Sequence, residues 1–352
     1  MDTLLTILRL IVPAKFQLSH LKCMESVLRA LLLVLSPNLM RLSCVVADNA
    51  QSTSAMRRIQ RLLGMKLFSC EAVGLAIVKT LPVKMSKIIL TMDRTTWELG
   101  KRVYNILAIG ICFDGISVPI YFTTYDKDGS TSFTEHIEFM ERVLDIIPAN
   151  RIECLVADRE FGNGNFIKWL TIMHIPYCLR LRENIHVRKS GELHPCKIKT
   201  ILSSLPVGGS VVLANSYIVK KNNKVRIYAV RRTVREGEES LLILATPVDS
   251  DFTDKIYRLR WQIEVSFRAM KTAGFHLEET HLPLDGHFQN MLKLILIAFA
   301  CAFIDGLIRI KERPIPTMKN NGRKRFSIFS FGIDIIVGDL WANVKFTPSL
   351  AT

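Results

Sequence analysis

Apolar residues recur at helical spacing through residues 1–80, most clearly in MESVLRALLLVLS (24–36). A Ser/Asn-rich break follows, then a basic helical pattern, within SPNLMRLSCVVADNAQSTSAMRRIQRLLG. Arg57 and Arg61 stand four apart and share a face, with Arg58 nearby. At Lys87 the period changes from helical to strand-like. KIILTMD is a short β-branched run that closes on Asp93, and VYNILAIGICFDG with ISVPIYFTTY predicts a hairpin turning at Asp114-Gly115. SFTEHIEFMERVLDII predicts an amphipathic helix capped by Ser/Thr, RIECLVAD a buried strand ending in Asp158, GNGNFIKWLTIMH a helix and PYCLRLR a strand. Three strands, a helix, a strand, a helix and a strand make a mixed α/β layer.

Residues 183–250 interrupt that layer with β-rich runs and polar turns, which predicts an inserted all-β subdomain. It carries Lys220, Lys221, Lys224, Arg226, Arg231, Arg232 and Arg235, a set that a solvated surface explains as well as a nucleic-acid partner does. Helical spacing returns near Asp254 and runs to about Lys271. Beyond residue 280 come a hydrophobic helix, the basic run KNNGRKR and short apolar pieces.

Charge narrows the class of partner. Of 352 residues, 47 are Lys or Arg and 32 are Asp or Glu, a formal net charge of +15, so a polyanion is the first expectation and a membrane surface the second. Hydrophobic residues make up 49%, which excludes a disordered chain. The eight cysteines form no CxxC pair, which argues against zinc, and several sit in apolar runs as small buried hydrophobes of a reducing compartment. The N-terminal stretch lacks the order of a signal peptide. LILIAFACAFI (294–304), bounded by Lys293 and Asp305, is too short to span a bilayer and reads as a buried helix.

Candidate chemistry lies on the stretch YRLRWQIEVSFRAMK (257–271). At roughly 100° per residue, Tyr257, Arg260, Glu264, Arg268 and Lys271 fall within an arc of about 80°. Ile256, Leu259, Ile263, Phe267 and Met270 form an adjacent apolar stripe. Ordinary i,i+4 ion pairs account for part of this charge, but three cations around one acid exceed what pairing needs. Asp93 and Asp158 each close an apolar run, where turn formation is the bland alternative. Two strand-end acids and one helical acid can hold two divalent ions about 3.5–4 Å apart for in-line phosphoryl displacement. Magnesium suits their hard oxygen donors.

The spacing Y-x2-R-x3-E-x6-K, here Tyr257, Arg260, Glu264 and Lys271, is the signature of the insertion-sequence-four family of DDE transposases, and the chain resembles that family. MDRTTW (92–97) and DREFGN (158–163) are similar to its first and second aspartate motifs, and HLEETHL (276–282) to the segment after its lysine. The resemblance spans roughly residues 85–305. It implies a ribonuclease H-like mixed-sheet core with an inserted all-β subdomain, a helical N-terminal module and a helical C-terminal region. The implied division is a DNA-binding module at 1–80, core at 85–182, insertion at 183–250, core with the catalytic helix at 251–305, and a tail at 306–352. It further implies that Asp93, Asp158 and Glu264 are catalytic and hold two Mg²⁺, with Mn²⁺ as a substitute. Tyr257, Arg260 and Lys271 grip DNA phosphates, and the shared helical face adds Arg268 to that set. Implied partners are double-stranded DNA, as terminal inverted repeats and target, and a second copy of the chain in a homodimer, with no membrane. The implied setting is the bacterial cytoplasm and nucleoid. Some relatives stack a tryptophan of the insertion on a flipped base; residues 183–250 contain no Trp, so that task falls to Tyr217 or Tyr228. The rival readings are a nuclease without strand transfer, a decayed DNA-binding repressor, and a basic membrane-surface protein.

Overall fold

The computed structural model describes residues 2–342 apart from 13–15, 48–50, 83–86, 100–101, 128, 190, 219–222, 236–237, 249, 273, 283 and 319–323. Lys220, Lys221 and most of the KNNGRKR run therefore lie outside the described residues, as do the side chains of Tyr217 and Arg235.

Five helices open the chain: α1 (Asp2–Ile11), α2 (Leu18–Val34), α3 (Leu39–Val46), α4 (Ser52–Gly64) and α5 (Cys70–Thr80). The Asn38 side chain caps α3 and that of Ser69 caps α5, each accepting backbone N–H bonds that the first turn cannot satisfy itself. Helix α4 buries Ala55, Ile59, Leu62 and Leu63 and leaves Arg57, Arg58 and Arg61 exposed, as a 3.6-residue period requires.

The sheet begins with β1 (Ile88–Leu99), β2 (Arg102–Phe113) and β3 (Ile116–Tyr125). The turn between β2 and β3 places Asp114 at φ 41° and Gly115 at φ 90°, the paired left-handed conformation that an Asp-Gly hairpin supplies. Then come α6 (Phe133–Leu144), β4 (Ile152–Ala157), α7 (Gly164–Ile172) and β5 (Tyr177–Arg180). A capping box between Ser132 and Glu135 starts α6. The insertion contributes β6 (His186–Lys189), β7 (Cys196–Lys197), the single turn α8 (Ile198–Ile201), β8 (Ser210–Ile218), β9 (Asn223–Arg235) and β10 (Glu238–Ala245). The ten strands among the described residues join one sheet, in the order β3-β2-β1-β4-β5-β10-β9-β8-β6-β7. Strands β1, β4 and β5 run parallel, and the neighbours on either side are antiparallel. The mixed α/β core with a β-rich insertion and helices at both ends is the architecture found, and the insertion extends the core sheet through β10 beside β5.

Two expectations are corrected. The first strand does not close on Asp93. Pairing with β2 continues from Asp93 opposite Ala108 to Leu99 opposite Arg102, while pairing with β4 stops at Met92 opposite Ala157. Asp93 thus sits where β4 leaves its neighbour, not where β1 ends. Nor is the 254–271 region one helix: α9 (Ser250–Arg258) and α10 (Trp261–Met270) flank a tight turn. There the N–H groups of Leu259 and Arg260 donate to the carbonyls three residues back, on Ile256 and Tyr257. The reason is packing. Tyr257 belongs to a cluster with Cys154, Val156, Cys178 and Leu244, whereas Ile263, Phe267 and Met270 join the main core.

Helix α11 (Asp285–Arg309) carries the apolar run expected at 294–304 within 25 helical residues, and is long and apolar enough to cross a membrane. It is instead the central core helix: 83% of its most apolar window is buried within the fold. The last described helix, α12 (Ile328–Ala342), packs along it, and Gly332 lets the two backbones touch at Ala302.

Candidate active site

Strand alternation assigns two sets of residues to opposite faces. Asp93, Asp158 and Arg180 lie on the face that α9 and α10 cover, each at or just past the point where parallel pairing stops. Helix α10 is fixed to that face by Ser266, whose hydroxyl donates to the Ser117 carbonyl and accepts the Ser117 N–H at 3.2 Å. Lys271, at its C-cap, donates to the Thr96 carbonyl at 3.1 Å and sits 5.5 Å over the Trp97 ring. These anchors bring Glu264 to the two aspartates.

Arg260 stands among the three acids. Its Nη1 donates to Glu264 Oε1 at 2.6 Å and lies 3.7 Å from Asp93 Oδ2. Asp158 Oδ1 accepts from the Tyr257 hydroxyl at 3.3 Å and has Arg180 Nη1 at 3.7 Å. Burial pushes the Asp93 carboxyl up to about 6, and the nearby charges of Asp158 and Glu264 push the same way, against the Arg94 N–H and Arg260. Burial and Asp158 also raise the Tyr257 phenol, so it remains a hydrogen-bond donor. The structure therefore gathers Asp93, Asp158, Glu264, Tyr257 and Arg260. Lys271 lies at the margin, and burial lowers its pKa. Arg268 stands one turn past Glu264 on α10 and is exposed.

The donor set fits a hard divalent cation. Three carboxylates converge from β1, β4 and α10, and Asp93 Oδ2 has no hydrogen-bond donor among the described residues, only the longer ion-pair contact to Arg260. As the side chains lie, Arg260 takes Glu264, and no three ligating groups among the described residues stand close enough to enclose an ion.

Four features escaped the sequence reading. Ser117 and Ser266, 149 residues apart, set the register of α10. Trp261 opens α10 with 62% of its surface exposed, its ring 5.4 Å from the Arg260 guanidinium; its place right after the motif arginine was the available signal. Glu160, which reads as part of the turn after Asp158, carries a partly buried ion pair to Arg94: the Arg94 Nε donates to both Glu160 oxygens at 2.9 and 3.0 Å. This pair lies on the opposite side of the sheet from the acids. Thr131 donates to Glu160 through both its N–H (3.0 Å) and its hydroxyl (2.9 Å), so His136 must be the donor in its 2.7 Å contact with Thr131 Oγ1. That leaves the buried Nδ1 of His136 a bare acceptor.

Burial holds the His136 pKa down to about 4, against an ordinary value of 6.5. The unfolded chain thus binds one more proton than the folded chain between pH 6.5 and 4, and stability is lost as pH falls through that window. The expected result for His136→Phe is a flatter acid limb in urea titrations at pH 7, 5.5 and 4. The gap to wild type should shift by up to about 3 kcal/mol across the range. Parallel profiles would show that His136 does not titrate this way.

A family model described as a transposase DDE domain matches residues 85–301, a segment that holds all three acids. No curated protein matches the chain. Among solved structures, a chain of the simian T-cell lymphotropic virus intasome in complex with PP2A regulatory subunit B56 gamma aligns at 14% identity and TM-score 0.23, over 39% of this chain and 46% of its own. The present chain thus spans less than half of that relative. Endonuclease V from Bacillus subtilis aligns at 11% identity and TM-score 0.29 (60% and 93%). Marinitoga piezophila Argonaute in complex with guide RNA and target DNA aligns at 11% and 0.21 (69% and 34%). Superpositions this loose decide nothing about activity.

Proposed function

The chain belongs to the transposase DDE domain family, and from that premise we propose that it cuts DNA at the inverted repeats ending its own element and joins those ends to a target, as a cut-and-paste enzyme of the insertion-sequence-four type. The observation that carries this reading is the convergence of Asp93, Asp158 and Glu264 around Arg260, inside the family-matched segment. Those three carboxylates are the residues that would hold Mg²⁺, with Mn²⁺ as a substitute. A divalent pair there supplies activation of a water or 3′ hydroxyl and neutralisation of the leaving oxygen.

The chain's own groups do the rest. Arg260 and Arg180 place cations beside the acids, and a guanidinium fork matches a phosphate's two oxygens. Tyr257 keeps its proton and orients Asp158. Trp261 presents an exposed ring on which an unpaired base can stack, a task for which the insertion has no tryptophan. Of its tyrosines, Tyr228 is half-buried against the Tyr257 cluster. The exposed arginines of α4 suit duplex phosphates, so the N-terminal helices serve as the end-reading module. Pairing two ends calls for a homodimer, acting on the bacterial chromosome in the cytoplasm.

The test is a reaction of purified protein with duplex DNA ending in the element's repeat and a supercoiled target plasmid. Cut ends and plasmid-joined products are expected with Mg²⁺ or Mn²⁺ and neither with EDTA. Cut ends without joined product would reduce the reading to a nuclease. Binding without cleavage in either metal would leave a DNA-binding protein and no enzyme.

A further inference from the structure

We propose that the cavity beside the second aspartate is a groove for one unpaired DNA strand leaving the catalytic face, a site that rests on the DNA-processing reading above. The cavity holds about 750 Å³ between the turn that follows Asp158, the start of α6 and the root of the insertion. That is ligand-sized, in the range of about 300–1,000 Å³, so a duplex can only lie across its mouth. Its place follows from the turn. Asp158 faces α9, where it accepts from the Tyr257 hydroxyl, while Arg159, the next residue, is exposed and lines the cavity. Gly162 lies against the Arg180 carbonyl where a Cβ would collide, which holds the turn flat on the end of β5.

The charge of the lining points to an anion. Arg159 and Arg182 are both exposed, and neither has an ion-pair partner among the described residues. Glu160 is the one carboxylate among the described lining residues, and its charge is committed to Arg94 and Thr131. His186 adds a ring N–H donor, and the amino ends of α6 and α7 open on the same space with their amide dipoles.

A second, separate feature selects a single strand over a duplex or a simple anion. Phe133, in the same wall, keeps 39% of its surface exposed. Two unpaired guanidinium groups and a bare ring in one groove form the pairing that tracks a sugar–phosphate backbone and stacks an unstacked base. A duplex hides its base faces and cannot use the ring.

The experiment is fluorescence anisotropy with a fluorescein-labelled 12-nucleotide DNA strand and the full chain in EDTA, so that nothing is cut. Against wild type, Arg159→Ala/Arg182→Ala is expected to bind at least about tenfold more weakly, with the log–log salt slope reduced by about 1.4 for two lost phosphate contacts. Phe133→Ala should weaken binding about fivefold or more at an unchanged slope. Arg159→Lys/Arg182→Lys, which keeps the charge, should restore the slope. All three sites are exposed, and thermal melts at wild-type temperature verify folding. Wild-type affinity and slope in the alanine pair overturn the groove, as does a wild-type chain that fails to bind the strand. If the groove variants behave as expected while wild type cuts no DNA in metal, the groove stands and the transposase reading falls. If the alanine pair binds as wild type while wild type still cuts, only the groove falls.

Discussion

Alanine at Asp158 or at Glu264 lowers metal-dependent DNA cleavage by about 10³-fold or more, roughly 4 kcal/mol of barrier, while duplex binding holds or tightens. The second half of that expectation comes from the cations. Removing Glu264 leaves Arg260, only 16% exposed, with the more distant Asp93 as its acidic contact. Removing Asp158 strips Arg180 of its 3.7 Å contact and the Tyr257 hydroxyl of its acceptor. Each deletion makes the face more positive, so affinity for a phosphate backbone rises while the oxygen donors that would hold metal are lost. Glu264→Gln separates charge from shape: it keeps an acceptor for Arg260 and removes the anionic ligand. Filter binding and an end-cleavage assay on the same preparations suffice. Cleavage that survives either substitution sinks the three-carboxylate site, and loss of binding together with cleavage would point to a collapsed fold.

The chain announces some of this architecture and conceals the rest for physical reasons. Local signals were legible where one segment carries its own answer. Asp114-Gly115 encodes the hairpin turn, Ser132 and Glu135 encode the start of α6, and the β-branched runs encode the buried parallel strands. The Tyr257–Lys271 spacing marked the residues that gather at the acids, but a constant 100° per residue assumed a straight helix. The turn at Leu259–Arg260 has neither Pro nor Gly to announce it; it arises because Tyr257 and Ile263 are claimed by different packing clusters. Asp93 read as a strand end because the apolar run stops there, although antiparallel pairing with β2 carries a polar strand six residues further. The Ser117–Ser266 anchor needs side chains 149 residues apart, and nothing local in either segment points to the other. The Arg94–Glu160 pair is an intermediate case. Asp93 and Arg94 must face opposite sides of β1, so the reverse face was bound to receive a guanidinium in need of an anion.

That reverse-face pair supports the second large expected effect. Glu160→Ala costs about 3 kcal/mol of stability, toward the lower end of what breaking a buried pair costs, because both partners keep about a fifth of their surface exposed. Arg94 retains Asn105 Oδ1 at 2.5 Å, but the Thr131 N–H and hydroxyl lose their acceptor. The functional consequence follows from position. Arg94 is joined directly to Asp93, whose Oδ1 accepts the Arg94 N–H at 2.8 Å, and Glu160 lies two residues past Asp158. The pair therefore ties together, from behind, the two backbone segments that present the aspartates. Stability and positioning are separable in the double variant Arg94→Met/Glu160→Leu, since replacing both charges with apolar groups removes the unpaired ion and restores much of the folding free energy. If the pair positions the acids, the double variant melts near wild type yet binds Mn²⁺ about tenfold or more weakly by calorimetry and cuts slowly, because metal ligands must be held to a few tenths of an ångström. If the pair only holds the fold together, Mn²⁺ affinity and cleavage recover along with stability, and Glu160 returns to being a turn residue with a salt bridge.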